Sequence, residues 1–167
     1  MTRRFKLIIA VAAIAALPLA ALAHGTNDHA KSANAAISTD EHAFGVEGNP
    51  KMASHTIRIS MDDTMHYSRP EIRVRQGETV TFVISNKGKL LHELVIGTED
   101  ELRKHAELMR KNPDMEHDEP YMAHVKPGAT ETMTWRFTEA GTFLFGCLVA
   151  GHFEAGMKGR IVVAAAK

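Results

Sequence analysis

Polar and apolar residues alternate along most of this chain. His55 to Met61 (HTIRISM) sets Ile57, Ile59 and Met61 on one face, the pattern of a half-buried strand, and Asp62-Asp63 ends it. Glu71 to Arg75 alternates again after Pro70, and Gln76-Gly77-Glu78 turns the chain. Thr79 to Ser85 (TVTFVIS) is β-branched and aromatic, as a core strand requires, and Asn86-Lys87-Gly88-Lys89 makes the next turn. Leu90 to Ile96 is apolar but carries His92 and Glu93. The period then changes. Thr98 can cap a helix, Asp100 and Glu101 fall in its first turn, and Leu102, His105 or Ala106, and Met109 recur at helical spacing up to Asn112-Pro113. After a mixed-charge loop, Asp114 to Pro120, extended segments return at 121–125, 130–137, 142–147 and 160–163, separated by Gly-containing turns. About eight short strands with closely spaced turns predict an all-β antiparallel sandwich, with one helix inserted near 98–111.

The N-terminal region lacks this order. Residues 1–23 have a basic start (Arg3, Arg4, Lys6), an apolar run from Leu7 to Ala16, Pro18, and a small-x-small end at Ala21-Leu22-Ala23. These are the marks of a secretory signal peptide cut after Ala23, and the run is short for a retained membrane anchor. The sequence therefore predicts export to the periplasm without stable membrane insertion. Residues 24–50 are polar and rich in Ala, Gly, Ser and Asn, which predicts a flexible arm bearing His24, His29 and His42 ahead of a folded domain at 51–167. Cleavage would make His24 the first residue, where an α-amine beside an imidazole could chelate Cu(II).

Charge excludes one class of partner. The chain has 20 basic and 20 acidic residues, and loss of the first 23 leaves a formal charge of −3. Mild acidity with interspersed signs is not the footprint of a nucleic-acid binder.

The chemistry concentrates in GTFLFGCLVAGHFEAGMKGRIVV, Gly141 to Val163. It holds the only cysteine, Cys147, then His152 and Met157 at successive steps of five. A lone thiol in an oxidising compartment is exposed to oxidation unless buried or metal-bound. Thiolate, imidazole and thioether are soft to borderline donors that suit copper rather than calcium or magnesium. His92, between apolar residues in LLHELVIG, is the best second imidazole. Two His, one Cys and a distant Met are the trigonal set with a weak axial thioether of a blue-copper electron-transfer site. Gly151 and Gly156 would let the loop turn, and Phe143, Phe145 and Phe153 would keep it apolar.

This loop, with an upstream His in a strand, resembles that of the cupredoxins. Its Cys-x4-His-x4-Met spacing is similar to that of rusticyanin-type members and longer than the Cys-x2-His step of plastocyanins and pseudoazurins. From EHAFGVEGNP onward the chain resembles periplasmic copper-tolerance cupredoxins of the CopI type. The resemblance implies a Greek-key sandwich, which would bring His92 to Cys147 across 55 positions. It also implies one type 1 copper held by His92, Cys147, His152 and Met157, cycling between Cu(I) and Cu(II) in copper tolerance. The rival function is an electron shuttle between periplasmic redox enzymes; the partners would be copper with a redox protein or a copper-export component.

Other readings stand beside this one. Many cupredoxins have Asn after the upstream His; Glu93 stands there, either as a brace for loop amides or as an oxygen donor to the metal. Met65-His66, Met115-x-His117 and Met122-x-His124 could give weaker accessory copper sites, while Met61, Met109 and Met133 fit apolar stripes. Cys147 and His152 could instead be a nucleophile and base, but no third group to orient them is evident, so the chain reads as a non-enzyme.

Overall fold

Alternation becomes two facing sheets because each strand has one apolar face to bury. The computed structural model describes residues 36–113, 115 and 117–166. Its strands are β1 (Val46–Glu47), β2 (His55–Asp62), β3 (His66–Tyr67), β4 (Glu71–Arg75), β5 (Thr79–Asn86), β6 (His92–Gly97), β7 (Met122–Val125), β8 (Thr130–Arg136), β9 (Gly141–Gly146) and β10 (Lys158–Ala164), with helix α1 at Glu99–Lys111. One sheet runs β1-β8-β5-β2-β3 and the other β4-β10-β9-β6-β7. Ile57 and Ile59 of β2, Val80, Phe82 and Ile84 of β5, and Trp135 of β8 meet Leu94 and Ile96 of β6, Phe145 of β9 and Ile161 of β10 in one core. Full burial of such side chains contributes about 1.5–3 kcal/mol each.

Two features depart from the sequence expectation. The sandwich is mixed: β2 pairs with β5, and β4 with β10, in parallel. The two strands beyond the expected eight, β1 and β3, have two residues each, too short for a period to show.

The expected arm to Pro50 also divides. The signal segment, His24 and His29 lie outside the described residues. From His42 onward the chain packs on the sandwich. Phe44 is buried, its carbonyl accepts a 3.0 Å hydrogen bond from Trp135 Nε1, and β1 adds an edge to β8. His42 lies among the rings of Phe44, Tyr121 and Trp135, with centroids 4.7–5.8 Å away. A single Phe in a polar stretch gives no periodic signal, and its partner is 91 positions on.

Helix α1 covers the outer face of the second sheet. Thr98 caps it in a reciprocal box with Glu101. Leu102, Ala106 and Met109 pack over Val95 of β6, together with Met122, Leu148 and Phe153. Every residue of β6 is therefore buried, its even positions against the sandwich and Val95 beneath the helix. This is why Leu90 to Ile96 shows no alternation.

Candidate metal centre

The register of β6 and β9 explains how His92 and Cys147 meet. Val95 stands opposite Gly146, so the start of β6 runs alongside the chain leaving β9. Cys147 continues the inward parity of Phe143 and Phe145 and is wholly buried. The β9–β10 hairpin closes just beyond it, with Lys158 opposite Gly146. Within the hairpin, Cys147 N–H donates to the Met157 carbonyl (3.0 Å), Met157 N–H to that of His152 (3.1 Å), and His152 N–H to that of Val149 (2.9 Å). The backbone thus ties together the three residues singled out in the sequence. Gly151 and Gly156 take φ of 87° and 99°, the left-handed region where a Cβ is strained.

One donor atom each from His92, Cys147 and His152 lie within 4.8 Å of one another, the only such group among the described residues. Cys147 Sγ is 3.3 Å from His152 Nδ1, and the two imidazole centroids are 5.0 Å apart. His92 has no exposed surface, and its Nδ1 is buried without a hydrogen-bond partner. A buried nitrogen left unpaired is costly, and a metal ion would satisfy it. Met157 is buried in the same core as Cys147.

Burial sets the protonation of the site. It pushes the Cys147 thiol up to about 12, although the backbone amides of Glu93 and Val149 pull the other way. Burial, reinforced by His92, holds His152 below the ordinary histidine value, so it is a neutral imidazole with a lone pair to give. A thiol raised and an imidazole lowered are the reverse of an activated nucleophile–base pair, whereas a cation between them would draw off the thiol proton.

The surroundings include residues that the sequence did not single out. Asp63 accepts the N–H groups of Lys89 (2.8 Å) and Leu90 (3.2 Å) and lies 3.1 Å from His92 Nε2. The ring is thereby turned so that Nδ1 faces inward, the carboxylate–histidine pairing that orients metal ligands. Tyr67 donates to the Glu93 carbonyl (2.5 Å) from the opposite sheet and packs edge-on to Phe145. Burial holds its phenol well above the usual value, so it remains a donor. Neither Asp63 nor Tyr67 lies near His92, Cys147 or His152 in sequence.

Glu93 has its carboxylate committed to the protein. Oε2 accepts Leu148 N–H (3.2 Å), and Oε1 is 2.9 Å from His124 Nδ1 directly across β7. Its own N–H points at Cys147 Sγ at 3.3 Å. These are the contacts of a brace. Of the aromatic residues expected around the loop, Phe145 and Phe153 are buried next to it in sequence, while Phe143 packs its ring on Phe44. Met61, Met109, Met122 and Met133 are core residues, and Met115 and His66 are exposed.

The sequence profile of the copper-binding proteins of the plastocyanin/azurin family matches residues 53–164. The chain is 44% identical over 144 residues to the copper-resistant cuproprotein CopI of Rubrivivax gelatinosus, covering 86% of this chain and 87% of the relative. The chain belongs to the plastocyanin/azurin family, as a cupredoxin of the CopI type. The CopI protein of Vibrio cholerae serotype O1 is 33% identical over 147 residues, covering 82% of this chain and 86% of that one. Among solved structures, reduced auracyanin of Roseiflexus castenholzii matches with a TM-score of 0.59 and 31% identity over 67% of this chain and 98% of its own. Auracyanin B, at 21% identity and a TM-score of 0.60, shares the fold. Copper is accordingly the cofactor of this cupredoxin, and the buried sulfur and nitrogen donors fit it.

Proposed function

We propose that this cupredoxin is exported to the periplasm and serves copper tolerance, holding one copper through His92, Cys147 and His152 with Met157 as a weak fourth donor. The observation that carries this reading is the convergence of a buried thiol, a buried imidazole with an unpaired Nδ1, and a neutral second imidazole. The name copper-resistant cuproprotein, borne by relatives along most of their length, supports the physiological part. Copper when bound supplies one-electron exchange between Cu(I) and Cu(II). The chain's part is to hold both imidazoles and the sulfur in a fixed frame, to exclude water, and to keep Glu93 on the loop amide rather than on the ion. Nothing in this arrangement activates a substrate, and we read the chain as a carrier rather than an enzyme.

A second reading, an electron shuttle, has its own observation. Leu90 and Leu91, just before His92, are 47% and 42% exposed, which gives an apolar contact surface beside the centre for a redox partner. One experiment addresses both. A copper-sensitive strain lacking the gene is complemented with the wild-type chain or with Cys147→Ser, and periplasmic copper is measured alongside electron exchange with a soluble cytochrome. Rescue by the wild type alone supports copper handling. Equal rescue by both chains overturns it, and rapid electron exchange without rescue favours the shuttle. N-terminal sequencing of the periplasmic protein tests export, and a start at His24 is expected.

A further inference from the structure

Histidines that the copper centre does not use gather on the outer face of the second sheet. His105 comes from α1, His117 from the loop after it, and His124 from β7. The rings of His105 and His117 lie 4.5 Å apart at 30°, and His124 stands edge-on to His117 at 6.5 Å. His124 has both nitrogens engaged, Nδ1 with Glu93 and Nε2 donating to the His117 carbonyl at 2.8 Å. It therefore fixes the backbone of its neighbour and has no donor to spare. The other two differ: His105 Nε2 and His117 Nδ1 are both buried and have no hydrogen-bond partner.

Two buried nitrogens left unpaired on adjacent rings are costly, and an ion bound by both would satisfy them. A proton on His105 would place a charge in a half-buried site, and burial together with His117 holds this ring below the ordinary histidine value despite Glu93. Two imidazole nitrogens suit a soft d10 ion that accepts few donors.

We propose that His105 and His117 form a second copper site, binding Cu(I) through Nε2 of the first and Nδ1 of the second. It is separate from the Cys147 centre but joined to it by one relay, since His124 touches both His117 and Glu93, and Glu93 holds Leu148 of the ligand loop. The proposal does not depend on which residues hold the first copper.

The test uses the full chain carrying Cys147→Ser and labelled with 15N. Cu(I) is added anaerobically and each imidazole nitrogen is followed by NMR. His105 Nε2 and His117 Nδ1 are expected to move to metal-bound shifts. Adding His105→Ala and His117→Ala should lower the Cu(I) bound by one equivalent, and in the chain with native Cys147 the same pair should leave the thiolate-to-Cu(II) absorption in place. Unmoved nitrogens at saturation, or unchanged stoichiometry in the double variant, overturn the site. Movement with Zn(II) but not with Cu(I) overturns the assignment of the metal. Should the double variant fail to fold, the shifts of the native histidines decide alone.

Discussion

Inward from β6 lies the sandwich core, and outward lie α1 and β7. His92 takes the inward parity of Leu94 and Ile96, keeps a buried nitrogen without a partner, and groups with Cys147 and His152. Glu93, one residue on, takes the outward parity of Val95 and spends its carboxylate on Leu148 N–H and His124. Both are buried and both could bind copper. The pleat separates them, because successive side chains leave a strand on opposite faces. A carboxylate on the inner face would point into the His92–Cys147–His152 group, while on the outer face it fastens the loop that follows Cys147.

The largest break of this contrast is on the inner face. Cys147→Ser should abolish the visible thiolate-to-Cu(II) absorption, and an unchanged spectrum would remove Cys147 from the site. Asp63→Asn, which weakens the hold on His92 Nε2, should lower copper affinity roughly 10- to 100-fold with the absorption band retained, as titration against a competing chelator would show. The thiol, raised to about 12, must release its proton when the metal binds, which makes affinity rise with pH. That term is about tenfold per pH unit over the neutral range and should be missing in Cys147→Ser.

Changes on the outer face should act more on stability than on colour. Glu93→Ala strips partners from Leu148 N–H and His124, at a cost of about 1–3 kcal/mol for each group left unpaired, measurable as a lower midpoint in urea. Glu93→Gln keeps an acceptor for the amide and should change the spectrum only modestly; loss of the spectrum would show direct coordination. Met157→Leu should be mildest for binding, keeping copper but raising the potential, because a weak donor to Cu(II) is lost. Copper loss in that variant would make Met157 an anchor.

Local pattern carried much of this fold. Ile57, Ile59, Val80, Phe82 and Trp135 lie in the core where alternation places them, and Thr98 caps α1 as its position before Asp100 and Glu101 predicts. Cys147, His152 and Met157 stood out in the sequence because they fall on one short segment, which the structure folds into one hairpin. What could not be read depends on partners distant in the chain. Asp63 meets His92 across 29 positions and Tyr67 meets Glu93 across 26, with no local sign of either contact. The packing of Phe44 on Trp135 was hidden the same way. The face that Glu93 occupies was also hidden, since β6 is apolar on both sides.

The hairpin from Cys147 to Met157 is closed by its own amide-to-carbonyl bonds, none of which requires an ion. The entropy of arranging the donors is therefore lost when the polypeptide folds, not when the cation arrives. Folded apoprotein would be receptive at once, and uptake would be limited by how fast a thiol proton and a hydration shell can leave. Loading should then raise the melting temperature through mass action while leaving the circular dichroism of the sheets unchanged.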